Sequence, residues 1–148
     1  MREAALYGMF GAGTNITDGR YTYFRYPEDM TQQQLYEYTL MPMHLKNLFH
    51  VDELRRAQLS PPLGFTQGVP LMKVPARRNA KGQPAGHQGQ GNGYEDTTTV
   101  LFDLRDDPEQ LKPFRDDAIE ARLLDLMAQL MRANEAPPEA FIRLGLTP

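Results

Sequence analysis

The stretch "DDAIEARLLDLMAQLMRAN", residues 116–134, decides the fold class of this chain. Its apolar residues recur at steps of three and four, the spacing of one face of an α-helix: Ile119, Leu123, Leu126, Met127, Leu130 and Met131. Asp116 or Asp117 can accept hydrogen bonds from the first backbone N–H groups and so begin the helix. We therefore predict a helix over residues 115–134 whose apolar face packs against a sheet.

The strands of that sheet are predicted from segments rich in aromatic and β-branched residues. We expect the first two strands to form a hairpin through a type I′ turn at Asp18-Gly19, in which both central residues take positive φ. The predicted strands are residues 4–16, 20–26, 35–41, 69–74 and 97–104. The pattern predicts an α+β fold, with a small antiparallel sheet of about four strands packed against a long C-terminal helix.

Two shorter helices and one long loop complete the prediction. The segment "VDELRRAQLS" from Val51 is typical of a short amphipathic helix, and a last helical turn from Ala136 is expected to end at Gly145. Residues 75–95 are rich in Gly, Gln and Pro and predict a mobile surface loop. Its basic residues could contact an anionic ligand, although a solvated charged loop is the favoured interpretation of them: Arg77, Arg78, Lys81 and His87.

Length and composition narrow the class of protein. The 148 residues, 41% of them hydrophobic, are enough for one domain with its own core. A formal net charge of −3 and the absence of a basic, aromatic-rich segment argue against nucleic acid as a partner. Since there is no long apolar run, we expect no membrane contact and a cytoplasmic protein. The absence of cysteine excludes disulfides and a cysteine nucleophile.

The acidic stretch after the last predicted strand has two interpretations. Asp103, Asp106 and Asp107 could bind a metal ion, but such a site needs oxygen ligands that converge from separate segments. Alternatively, Asp107 accepts hydrogen bonds from the next turn, and Pro108 occupies the first helical position. Because Pro108 follows Asp107 directly, the sequence favours the capping interpretation, and we expect no metal ligands in this chain.

Four segments in order resemble the C-terminal region of type I sulfatases, members of the alkaline-phosphatase-like superfamily, and in particular a bacterial sulfatase-like branch. They are "GMFGAGTNITDGRYTYFRYP", "YEYTLMPMHL", "TVLFDLRDDPEQ" and "APPEAFIRLGL". The third is similar to the "LYDLxxDPxE" stretch that joins the last strands of a small antiparallel sheet to a terminal helix in that family. The resemblance implies that residues 1–148 form a single sulfatase C-terminal-like domain.

The resemblance also implies what this chain lacks. Sulfatases use a Cys or Ser in a C/S-x-P-x-R motif and a calcium-type divalent cation held by Asp and Asn side chains. Ser60, the only serine, is followed by "PPLG" without the required arginine. We therefore expect no catalytic residue here, and a C-terminal accessory domain or fragment of a sulfatase-like sulfuric ester hydrolase that is inactive alone. Whether the chain is itself an enzyme is left open.

Within a whole enzyme of this family, His44 and Lys73 are the residues that could contact the sulfate. The expected partner is the missing catalytic domain or a second copy of this chain. A candidate packing face for either is apolar: Met9, Phe10, Leu40, Met41 and Met43. One alternative is a non-enzymatic assembly or ligand-binding module that reuses the fold and binds through residues 75–95. An independent metal hydrolase is the least favoured alternative.

Overall fold

A computed structural model describes residues 3–44, 47–77 and 97–148 of the chain. The chain divides into two compact units, Met1–Met30 with His87–Pro148 (unit 1) and Thr31–Gly86 (unit 2). The single domain expected from the sequence stays a prediction. Most of the loop predicted at residues 75–95, including Arg78, Lys81 and His87, lies outside the described residues.

The described residues form the following strands and helices, numbered along the chain. The strands are β1 Ala5–Gly8, β2 Thr14–Thr17, β3 Tyr21–Arg25, β4 Tyr36–Thr39, β5 Gln58–Ser60, β6 Leu71–Pro75 and β7 Val100–Asp103. The α-helices are α1 Val51–Arg55, α2 Asp117–Ala133 and α3 Pro138–Ile142, and a short 3₁₀ helix spans Gly64–Thr66. None of these helices is long and apolar enough to cross a membrane.

Unit 1 contains a four-stranded antiparallel sheet in the order β1-β2-β3-β7. The register places Leu6 beside Ile16, Ile16 beside Tyr23, and Tyr23 beside Leu101, so one row of apolar side chains crosses all four strands on one face. Helices α2 and α3 pack on this face. The α+β fold predicted from the sequence, with an antiparallel sheet of four strands against the long C-terminal helix, is confirmed.

The core of unit 1 lies between this row and the two helices. Ile16, Leu101, Leu123 and Met127 are fully buried there. Asp116 begins α2 as predicted, because its Oδ1 accepts hydrogen bonds from the N–H groups of Ala118 and Ile119, each at 3.0 Å. The other buried members of the core are Ala4, Tyr23, Ala128, Met131, Phe141 and Leu144. Gly145, with φ of +71°, follows α3 at the predicted end of the last helical turn.

The first predicted strand, residues 4–16, is wrong as one element, since it is two strands joined by a glycine-rich turn. Gly8 has φ of +153°, and a Cβ at this position would lie 2.8 Å from the carbonyl oxygen of Gly13. Gly11 also has a positive φ, of +80°. The chain reverses here because only glycine permits this backbone conformation and this close approach.

The turn between β2 and β3 also differs from the predicted type I′ turn. Gly19 has φ of +92°, whereas Asp18 is not in the positive-φ region. The Asp18 N–H donates to the carbonyl oxygen of Tyr21, so Gly19 and Arg20 are the central residues, as in a type II′ turn with glycine first. Asp18 instead uses its side chain, whose Oδ1 accepts from the N–H groups of Arg20 at 2.9 Å and Tyr21 at 2.7 Å.

Unit 2 contains a three-stranded antiparallel sheet in the order β4-β6-β5, which the sequence did not separate from the first sheet. Its buried apolar residues are Leu35, Phe49, Leu71 and Val74. The helix predicted from Val51 ends at Arg55, and its predicted last residues form β5. Pairing with β6 determines the structure of residues 58–60, and periodicity within the segment does not reveal this pairing.

Candidate functional site

His44 lies in unit 2 between two carboxylates. Its Nδ1 is 2.8 Å from Oε2 of Glu37 on β4, and its Nε2 is 3.3 Å from Oε1 of Glu53 on α1. The second distance is within ion-pair range, although Nε2 makes no directional hydrogen bond. The imidazole also packs on the ring of Phe49, with a centroid distance of 4.2 Å.

Glu53 is the centre of this cluster, and its side chain is only 3% exposed. Arg77 donates to both carboxylate oxygens, from Nε to Oε1 at 2.6 Å and from Nη2 to Oε2 at 2.8 Å. The N–H of His50 donates to Oε2 at 2.7 Å. The hydrogen bonds from Arg77 are the largest cause that lowers the pKa of Glu53, to about 2. We name Glu37, His44, Glu53 and Arg77 the buried ion cluster.

Lys73 lies elsewhere in unit 2, against two aromatic rings. Its Nζ is 4.2 Å from the ring centroid of Tyr36 and 5.6 Å from that of Tyr38, both on β4. Such contacts are attractive because the negative face of the ring meets the ammonium. They place a cation on a partly exposed aromatic surface of the second sheet.

The two residues that the resemblance selects are not brought together on one face of this sheet. Side chains alternate between faces along a strand, so Glu37 points away from Tyr36 and Tyr38. His44 contacts Glu37, whereas Lys73 is the cross-strand partner of Tyr38 and contacts both tyrosines. His44 and Lys73 therefore belong to groups of residues on opposite faces.

The acidic stretch in unit 1 serves local structure. Asp103 pairs with Arg20, with 2.9 Å between Nη2 and Oδ2, and this hydrogen bond is the largest cause of the lowered pKa of Asp103. The Asp107 carboxylate accepts from the N–H groups of Leu111 at 3.1 Å and Lys112 at 2.8 Å. Asp107 therefore accepts backbone hydrogen bonds from the following turn, as the capping interpretation predicts.

The helical turn expected after Asp107 is present, and it is a single turn. The N–H of Gln110 donates to the Asp107 carbonyl oxygen, and Gln110 then takes φ of +56°. This left-handed residue ends the structure after a single turn. Among the described residues, no group of three or more His, Asp or Glu side chains is arranged to hold a metal ion.

The sheet of unit 1 has a second face that sequence reasoning missed. The rings of Tyr7 and Phe24 meet edge to face at 5.9 Å, and so do those of Phe24 and Phe102. Asn15 and Thr22 lie between these rings, and the Tyr7 hydroxyl is hydrogen bonded to the Thr22 hydroxyl. We name these five residues the aromatic face. In "YTYFR", Tyr23 and Phe24 are adjacent and therefore point to opposite faces, which indicated aromatic side chains on both faces of this strand but not the partners of Phe24 on the other strands.

Helices α2 and α3 do not pack on the aromatic face, because the core that they form contains only side chains of the opposite face. Tyr7 is 42% exposed. Asn15 is 8% exposed, and its buried Oδ1 accepts no hydrogen bond from the described residues. Thr22 and Phe102 are also buried, so Tyr7 is the exposed member of the aromatic face.

The apolar packing face expected from the sequence is distributed over both units. Met9 and Phe10 lie in the turn between β1 and β2 of unit 1, and both are exposed. Leu40 and Met41 follow β4 in unit 2 and are exposed, whereas Met43 is half-buried. Exposure of four of the five is compatible with a role in association, which stays a prediction.

Searches against protein-family models, curated proteins and solved structures find no match to this chain.

Proposed function

We propose that this chain is the C-terminal accessory domain of a sulfatase-like sulfuric ester hydrolase and acts only together with a separate catalytic partner. The resemblance of four ordered segments supports the family, and the lack of a C/S-x-P-x-R motif supports the dependence on a partner. The chain contributes neither the nucleophile nor ligands for the calcium-type cation, which belong to the catalytic partner.

The observation that carries this proposal is the aromatic face. A sheet of a compact domain normally buries both faces when both carry large apolar side chains. Here α2 and α3 cover the face of Ile16 and Tyr23, and on the other face Phe102 is also buried, whereas Tyr7 is 42% exposed. We propose that the catalytic partner packs on the Tyr7 end of this aromatic face.

Of the two residues expected near the sulfate, we assign Lys73 to substrate contact and His44 to structure. A sulfate beside His44 would also face the carboxylates of Glu37 and Glu53, which repel it. Lys73 contacts the neutral rings of Tyr36 and Tyr38. These rings do not repel a sulfate as the two carboxylates beside His44 do.

The proposal is tested by mixing this chain with a catalytic half made by deleting the C-terminal region of a sulfatase of the same branch. Hydrolysis of p-nitrophenyl sulfate and p-nitrophenyl phosphate is measured for each component and for the mixture, and calorimetry measures binding. We expect binding with one-to-one stoichiometry and activity that rises only in the mixture. Activity of this chain alone, or no binding in the mixture, would refute the proposal.

Two variants locate the contact. Tyr7→Ala should weaken binding to the catalytic half, whereas Leu111→Ala, which removes a side chain that is 70% exposed outside the aromatic face, should not. Lys73→Met should raise KM of the mixture for the sulfate ester with little change in binding of the two chains. Far-UV circular dichroism checks that each variant remains folded.

A further inference from the structure

The sheet of unit 1 has two edge strands, and they differ in how they are covered. At β7, the chain covers its own edge, because the N–H of Phe114 donates to the carbonyl oxygen of Leu101 at 3.0 Å. At β1, no described residue forms a bridge on the outer side. An uncovered edge presents a row of N–H and C=O groups to which another strand can pair.

Although β1 is short, at four residues, it lacks several other features that usually protect an edge. Its sequence, Ala-Leu-Tyr-Gly, contains neither lysine nor proline, and it pairs with β2 residue by residue without a bulge. Three of its four residues are exposed. The edge is therefore regular and accessible within unit 1.

A groove of about 730 Å³ lies between this edge and α2. It is lined by residues 3–6 and, from α2 and its C-terminal end, by Leu126, Gln129, Leu130, Ala133 and Asn134. Among the described residues that line it, only Glu3 is charged. The groove is thus a nearly neutral, partly apolar surface directly beside a free strand edge.

We propose that the chain forms a homodimer in which β1 of two copies pairs antiparallel and joins the two sheets into one of eight strands. An antiparallel pair of identical edges is self-complementary, since each donates and accepts with the same residues. α2 contacts both β1 and β2, so the two-fold axis brings the α2 helices of the two copies side by side. Their leucines then fill the groove of each copy.

Charge favours a second copy as the occupant. When β1 pairs over its four residues, Glu3 of each copy lies beyond opposite ends of the paired strands. The two carboxylates are then separated by about 24 Å, at a strand rise of roughly 3.4 Å per residue, which exceeds the screening length of physiological salt. Self-pairing therefore places no like charges in contact. This inference does not rest on the proposed function, because it concerns the backbone edge of β1 and the groove beside α2, whereas the proposed function concerns the aromatic face.

Sedimentation velocity of the full chain over a wide concentration range tests the dimer. We expect a reversible monomer–dimer equilibrium, and Ala133→Arg should raise its Kd by about tenfold or more because two guanidinium groups enter the groove region. The matched control is Ala121→Arg, which changes an exposed alanine on the same helix that does not line the groove. A monomer at all concentrations would overturn the proposal.

Hydrogen exchange then locates the interface. In the dimer, the outward N–H groups of Ala5–Gly8 should exchange more slowly as the protein concentration rises, while those of β7 should not change. A dimer whose β1 amides are unaffected by concentration, or one that Ala133→Arg and Ala121→Arg weaken equally, would also overturn it. The fold of each variant is checked by far-UV circular dichroism.

Discussion

Unit 1 and unit 2 stabilise their sheets by different means. In unit 1, α2 and α3 bury a continuous row of apolar side chains, and the ion pairs lie at the surface. In unit 2, the three-stranded sheet packs with a five-residue helix, and the most buried charged residue, Glu53, is held by Arg77 and His44. The first unit depends on apolar burial and the second on correctly paired charges.

This difference between apolar burial and paired charges predicts how each unit responds to a substitution. Apolar burial is distributed over many contacts, each small, so unit 1 should respond in proportion to the volume removed. A buried carboxylate is stable only while its partners remain, so unit 2 should respond sharply to loss of one partner. Each prediction below tests one side of this comparison.

The largest effect is expected in the core of unit 1. Leu123→Ala should lower the free energy of unfolding by about 3 kcal/mol, because it removes a fully buried side chain and leaves a cavity. Urea denaturation followed by amide NMR signals of β2 measures it. Leu111→Ala, at a site that is 70% exposed, should cost less than about 0.5 kcal/mol. Equal losses would contradict the assigned core.

The next effect is expected at the buried ion cluster. Glu53→Gln should lower the stability of unit 2 by about 2 kcal/mol, since Arg77 and His44 lose their common carboxylate. The expected cost is below that of a fully buried pair because the Arg77 side chain is 53% exposed and regains water. Amide signals of β6 during urea denaturation report it.

The control for Glu53→Gln is Asp52→Asn on the same helix. Asp52 is 66% exposed and pairs with Arg55 at 3.2 Å, so its neutralisation should cost less than about 0.5 kcal/mol. If both substitutions cost the same, the buried ion cluster does not stabilise unit 2 as its geometry indicates.

The sequence predicted unit 1 better than unit 2, because the main helix of unit 1 follows from a local pattern whereas the contacts of Glu53 in unit 2 are long-range. The stripe of Leu123, Met127 and Met131 repeats within one helix, so local periodicity is sufficient to predict α2 and the face that it buries. By contrast, Glu53 and Arg77 are 24 residues apart, and nothing local links them. Glu53 could have been noticed only as an acidic residue in the first turn of a helix.

The errors in unit 1 have the same origin. Periodicity predicted a strand through residues 4–16, because it does not show that Gly8 lies against Gly13. Likewise, Asp-Gly predicts a type I′ turn, but the Asp18 side chain hydrogen bonds to the following N–H groups, and the turn moves by one residue. The aromatic face was missed because its aromatic residues come from three strands that only the fold brings together.

Acid should destabilise unit 2 more than unit 1, because unit 2 depends on the ionised carboxylate of Glu53. The pKa of Glu53 is about 2 in the folded chain, below its ordinary value of 4.5, so its pairing stabilises unit 2 above pH 4.5. This contribution, on the order of 2 kcal/mol after screening by solvent, is lost as the pH falls from 4.5 towards 2. Amide signals of β6 should therefore disappear at lower urea concentration as the pH falls.

Glu53→Gln supplies the control for the acid experiment, because it has no carboxylate to protonate. Its unit 2 stability should vary less with pH over the same interval than that of the unsubstituted chain. In unit 1, Asp18 and Asp103 also have lowered pKa values. For Asp18, burial raises the pKa, but hydrogen bonds lower it by more. Because their partners Arg122 and Arg20 are about half exposed, we expect a smaller loss of stability in unit 1 than in unit 2 as the pH falls. If unit 1 lost more stability than unit 2 as the pH falls, the inference that unit 2 depends more on paired charges would be contradicted.

The smallest effect concerns the start of α2, where unit 1 depends on a polar side chain. Asp116→Ala should cost about 1 kcal/mol, because the N–H groups of Ala118 and Ile119 lose their acceptor. Asp117→Ala should cost less, since Asp117 lies inside the first turn and contributes through the helix dipole alone. The measurement is urea denaturation read at α2 amides. A loss at Asp116 as large as that at Leu123 would mean that unit 1, like unit 2, depends on single polar contacts, and the proposed distinction between the units would fail.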